Sequence, residues 1–115
     1  MPKVDWMYHR KNCDSCAKAS GFIQEHEIAV VKQVDARTIP LVEADALRLV
    51  SEADDLYVTR GTKVVHFNLR DTRPADELLL SMLIGRSGKL RAPALQVGRT
   101  LIVGFDLPTY EEIFV

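Results

Sequence analysis

The chain has 115 residues, 47% of them hydrophobic and 27% charged, a balance that excludes a disordered chain and suits one compact domain over residues 1–115. Lys plus Arg number 15 against 16 Asp plus Glu, a net charge of -1, so no overall basic field favours nucleic acid or an anionic membrane, and neither is an expected partner. Met1-Pro2-Lys3-Val4-Asp5-Trp6-Met7-Tyr8 runs straight into His9-Arg10-Lys11, no apolar run reaches signal-peptide or membrane-spanning length, and a cytoplasmic location is expected.

Val4 to Tyr8 is short, rich in β-branched and aromatic residues and stopped by polar ones, as a first strand would be. Asp14 to about His26 sets Ala17, Phe22 and Ile23 among Lys18, Gln24 and Glu25, compatible with an amphipathic helix that Gly21 weakens. Ile28 to Val34 is a mostly apolar, β-branched run suited to a buried strand. Thr38 and Pro40 resemble the start of a second helix, whose apolar stripe runs from Leu41 to Ala53. Leu56-Tyr57-Val58 and Lys63-Val64-Val65-His66-Phe67 flank Arg60-Gly61-Thr62 as the arms of a hairpin would.

Ala75 to Gly85 carries Asp76 and Glu77 in its first turn and a leucine-rich face, the pattern of a third helix that Gly85 and Gly88 end. Ala94 to Val97 and Thr100 to Val103 read as two strands joined by a tight turn at Gly98-Arg99, followed by a last helix near Thr109 to Phe114. No linker, repeat or low-complexity segment divides the chain.

Two cysteines three positions apart, Cys13 and Cys16, fall between the first predicted strand and the first predicted helix. Unpaired N–H groups and the helix dipole lower the pKa of a thiol at a helix N-terminus, which makes Cys13 the expected nucleophile. Arg10 and Lys11 would add favourable charge and Asp14 would oppose it. Cys16, one turn further on, can attack a mixed disulfide at Cys13 and release the substrate. Two other readings stand beside this one. The pair could be half of a zinc site, but only the scattered His9, His26 and His66 could complete it, so no metal is expected. It could also be two inert, buried, apolar-like side chains.

Pro93 opens a predicted strand, where proline is tolerated on an edge in trans, but X–Pro is also the bond that adopts cis most cheaply. On sequence alone the trans edge proline is the plainer reading. The Cys13–Cys16 pair, however, resembles that of thioredoxin-like proteins, in which a cis-proline faces the CxxC, and this resemblance implies a cis bond after Ala92, whose backbone would then be free to pair with an extended substrate.

The residues from Tyr8 to Ala19, then Arg60-Gly61, Asp76-Glu77-Leu78-Leu79 and Val97 to Phe105 resemble the arsenate reductase family, a glutaredoxin-related group that includes Spx-type regulators. The likeness spans nearly the whole chain. It is strongest to an arsenate-reductase-family (seleno)protein branch, in which some members carry selenocysteine where Cys13 stands. The resemblance implies an α/β, thioredoxin-like fold, with a four-stranded mixed sheet of β-α-β and β-β-α units and a helical insertion between them. It also implies a loop, rather than a hairpin, near Arg60.

What carries over is Cys13 as nucleophile, with Arg60 and Arg91 as anion-binding groups beside Ala92 and Pro93. Arsenate reductases resemble one another in an arginine directly before the key proline. Here Ala92 intervenes, and a shift of one residue on an extended backbone turns the Arg91 side chain elsewhere. The leading expectation is therefore a thiol-disulfide oxidoreductase without a bound cofactor. Its substrate would be an oxidised thiol protein or a small disulfide, and glutathione or a thioredoxin system would reset the pair. The alternatives are arsenate reduction, and a non-enzymatic redox sensor like the Spx-type regulators that contact RNA polymerase.

Overall fold

Side chains that alternate across the strands divide the molecule into two hydrophobic cores, one on each face of a central sheet. In the computed structural model, which describes residues 3–115, the elements in chain order are β1 (Lys3–Val4), β2 (Trp6–His9), α1 (Asp14–Glu25), β3 (Ala29–Val30), β4 (Gln33–Asp35) and α2 (Glu43–Ser51). They continue with β5 (Asp55–Arg60), β6 (Lys63–Asn68), α3 (Asp76–Leu83), β7 (Ala94–Val97), β8 (Thr100–Val103) and α4 (Leu107–Phe114).

The main sheet runs β4-β2-β7-β8-β5-β6, and β1 pairs with β3 as a two-stranded extension beside it. β2 is parallel to β4 and antiparallel to β7; β8 is antiparallel to β7 and parallel to β5. The first strand of the sequence is thus broken at Asp5, whose carboxylate accepts the Gly98 N–H at 2.6 Å.

Residues of one parity face α2 and α3: Tyr8, Leu56, Val58, Ala94, Leu101 and Val103 pack there with Leu49, Val50, Leu79 and Leu83. The other parity, Met7, Leu95 and Ile102, meets Ala19, Phe22 and Ile23 of α1 and Tyr110 and Phe114 of α4. The β-α-β and β-β-α units are both present, and β4-β2-β7-β8 is the four-stranded mixed sheet expected for a thioredoxin-like chain.

The segment between the two units is not only helical. Besides α2 and α3 it carries the β5–β6 hairpin, which widens the sheet to six strands. The loop implied near Arg60 by family likeness is therefore overturned, and the hairpin read from the residues stands. Arg60 pairs with Lys63 across the two-residue turn Gly61-Thr62, with Gly61 at φ +62, the glycine-first arrangement of a type II′ turn. The directly opposed Tyr57 and His66 stack with centroids 4.2 Å apart, and His66 Nε2 lies 2.9 Å from Asp55 Oδ1.

The second helix also starts later than Thr38 and Pro40 suggest. The N–H groups of Thr38 and Ile39 turn back to the Asp35 carbonyl, and the Asp45 carboxylate takes the Val42 N–H at 2.9 Å instead.

Candidate redox site

Cys13 is placed by three local devices. β2 ends at His9, and Asn12 then adopts φ +58, a left-handed conformation that asparagine tolerates better than most residues. This turn leaves Cys13 extended, at φ -120 and ψ 117, as the N-cap of α1. Its Sγ does what a serine oxygen does at such a position: it accepts the backbone N–H of the residue three further on, Cys16, at 3.4 Å.

The two thiols, both free, are differently housed. Cys13 is partly exposed, whereas Cys16 is buried at 3% exposure, facing inward from the first turn of α1. Partial burial works against a thiolate at Cys13, yet the Cys16 thiol, the Cys16 backbone N–H and the Arg10 guanidinium together outweigh it and lower the pKa below the ordinary 9.0. Burial, reinforced by the Cys13 sulfur, pushes Cys16 up to about 12. The partly exposed thiol is thus the more readily ionised of the two, and its buried neighbour keeps its proton.

Opposite them lies the segment before β7. The Ala92–Pro93 bond is cis, Pro93 is buried, and the Ala92 carbonyl oxygen lies 3.8 Å from Cys13 Sγ. Cys13, Cys16, Ala92 and Pro93 are thus brought together.

Arg91 is not aimed at the sulfur. Its Nη1 donates to the Met82 carbonyl at 3.0 Å and its Nη2 to the Thr59 carbonyl at 2.8 Å. Burial, and then the nearby Arg60 charge, lower its pKa. Arg60 is exposed at the end of β5 and, with Arg91, lines a depression of about 530 Å³ beyond the thiols. The depression that contains Cys13 itself is about 590 Å³ and is walled by residues 9 to 14 with Cys16, Ala17 and Ser20.

Sequence reasoning missed Asn12, Thr59 and Gly104. The last carries φ +96 between β8 and α4, and a Cβ there would come within 2.8 Å of the Thr59 Cβ. An Asn directly before a helix-capping residue is a readable turn signal. Nothing in the sequence pairs Thr59 with Gly104. Among the described residues no group of three or more His, Cys, Asp or Glu side chains could hold a metal ion. No helix among them is long and apolar enough to cross a membrane.

No protein-family model matches the chain. The global transcriptional regulator Spx of Enterococcus faecalis is 28% identical to it over 104 residues, spanning 87% of this chain and 78% of that protein. The solved structure of the YFFB (PA3664) protein matches with a TM-score of 0.60 at 17% identity, covering 96% of this chain and 98% of that one. At that identity the second likeness is one of fold.

Proposed function

The chain is an arsenate-reductase/Spx-like protein of thioredoxin fold, and from that premise we propose that it is a thiol-disulfide oxidoreductase. The observation that carries the reading is the asymmetry of its two thiols: Cys13 is partly exposed with its pKa lowered, and Cys16 is buried with its pKa raised to about 12.

The Cys13 thiolate attacks one sulfur of a substrate disulfide, forming a mixed disulfide and expelling the other sulfur as a thiolate. Cys16 then passes its proton to that thiolate or to water and attacks Cys13 Sγ. The second substrate sulfur leaves and is protonated. Two electrons have moved to the substrate, and the Cys13–Cys16 disulfide is returned to the dithiol by glutathione or by a thioredoxin-type dithiol. Burial, the main cause of the raised Cys16 pKa, persists in the mixed disulfide, but as Cys13 Sγ loses its negative charge the part that the Cys13 sulfur added is removed, so resolution becomes easier once attack has occurred. Hydroxyethyl disulfide reduction tests the assignment: Cys13→Ser abolishes it, and full activity in that variant would refute the nucleophile.

A second reading is favoured by one observation, that the 28%-identical relative is a global transcriptional regulator. In it the same disulfide is a switch without turnover. Oxidation would then alter binding to protein partners in a pull-down while disulfide reduction stays undetectable. Arsenate reduction is the weaker enzymatic alternative, since two of the Arg91 donors are committed to backbone carbonyls. Arsenite formation with either reductant would restore it.

A further inference from the structure

We propose that the substrate of Cys13 is a polypeptide disulfide flanked by acidic residues. This rests on the dithiol reading above and adds the chemistry of the partner.

The chain as a whole is nearly neutral, at -1, but its charge is not evenly spread. The Cys13 depression contains Arg10 and Lys11. It shares Arg10 with a second depression of about 370 Å³, which Arg86, Arg91 and Ala92 also wall. That one shares Arg86 and Arg91 with the depression at Arg60. A fourth, of about 270 Å³, joins Ala92 and Arg91 to Lys18. Five cations, Arg10, Lys11, Lys18, Arg86 and Arg91, therefore line the depressions at Cys13 and Ala92, Arg60 lines the adjoining one, and Asp14 is the single acidic residue in the four linings.

None of the six takes part in the ion pairs found among the described residues, which lie elsewhere at Lys3–Asp5, Arg48–Asp45, His66–Asp55, Arg73–Asp76 and Arg99–Asp54. Arg60 and Arg91 are close enough to repel each other. Like charges that so outnumber their one acidic neighbour, Asp14, are unfavourable in the free protein and complementary to an anionic partner. The partner is a polypeptide because the depressions adjoin one another on both sides of Ala92 and are walled largely by charged, polar and small side chains. The apolar enclosure of a small-molecule pocket is missing from these linings.

Three synthetic peptides sharing one cystine bridge, flanked by Glu, Gln or Lys, test this on the full chain. We measure kcat/KM for their reduction, and their binding to the Cys13→Ser protein by fluorescence anisotropy. The Glu-flanked peptide should be reduced about tenfold faster than the Lys-flanked one at low ionic strength. The ratio should fall toward one at about 1 M salt, where the screening length is only ~3 Å. Binding should follow the same order, and an Arg60→Gln/Arg86→Gln variant should bring the Glu-flanked rate down toward the Gln-flanked one. If all three peptides are reduced and bound equally, the acidic partner is wrong while the dithiol chemistry stands. Preferential binding of the Glu-flanked peptide without reduction of any would sink the dithiol reading, and the substrate proposal with it.

Discussion

The Cys13 sulfur lies 3.8 Å from the carbonyl oxygen of Ala92, a residue 79 positions further along the chain. The sheet enforces this contact. β2 leads into Cys13 and β7 follows Pro93, and the two strands are antiparallel with Tyr8 opposite Ala94. The thiol at the start of α1 therefore has to meet the backbone that precedes β7. Hydrogen bonding of β7 to both β2 and β8 holds that backbone at a fixed place.

The difference between the two thiols predicts their order of alkylation. Because the Cys13 pKa is lowered, its reaction with iodoacetamide should rise with pH through a midpoint below 9.0, while Cys16 stays unmodified in the folded protein until near pH 12. Peptide mapping after timed alkylation reads this, and Cys16 labelled first would contradict it. The raised Cys16 pKa also has a stability consequence. The folded state holds that proton more tightly than the unfolded chain, so its contribution is complete below pH 9.0 and is lost as the pH rises toward about 12. A reduced Cys16→Ala protein should lack this alkaline component in urea titrations.

Arg91 binds the segment before Pro93 to the hairpin and to α3 through the Thr59 and Met82 carbonyls. Replacing it with alanine leaves both carbonyls without that donor and should destabilise the protein by about 1–3 kcal/mol. Lysine should recover only part of the loss, because a single ammonium cannot reproduce the fork that reaches both oxygens. Urea midpoints of the two variants measure this. Equal stability of Arg91→Ala and the parent would show that the clamp contributes nothing.

Gly104 and Gly61 separate steric crowding from backbone preference. Both carry positive φ, but a Cβ at Gly104 meets Thr59 at 2.8 Å and one at Gly61 meets nothing within 4 Å. Gly61→Ala should cost about 1 kcal/mol from conformation alone. Gly104→Ala should cost more, about 2–3 kcal/mol, since the β5 backbone would have to move. Thermal unfolding of the two variants side by side gives the comparison, and a Gly104→Ala no worse than Gly61→Ala would refute the close approach.

The order of elements was legible in the sequence where periodicity and punctuation agreed. Ala94–Val97 and Thr100–Val103 form strands at the predicted bounds, because two short apolar runs and the Gly98-Arg99 turn between them signal the same hairpin. The Arg60 hairpin was legible from the apolar, β-branched arms on either side of Arg60-Gly61-Thr62, and family likeness argued against it wrongly. Its two strands close on themselves through Tyr57 and His66, a cross-strand pair that composition does not reveal.

The start of α2 was misread because Thr38 and Pro40 look like a helix opening, whereas the Asp35 carbonyl captures that turn first. Of the site, Cys13 and Cys16 were readable by spacing, since helix geometry fixes residues three apart. The displaced side chain of Arg91 was readable from the one-residue shift before Pro93, but its partners Thr59 and Met82 depend on tertiary packing. Arg10, Lys11, Arg60 and Arg91 were read as charges near Cys13, but Lys18 and Arg86 were not, because only the fold brings them to the depressions beside Ala92.

The division of labour between the two cysteines is tested most directly by trapping the mixed disulfide. Reduced Cys16→Ser protein, mixed with a disulfide substrate and quenched in acid, should accumulate a substrate adduct on Cys13 by intact-mass spectrometry, because no resolving thiol remains. Cys13→Ser protein should form essentially none. An adduct on Cys16 in the Cys13→Ser protein, formed as fast as the Cys13 adduct, would contradict the account at its centre.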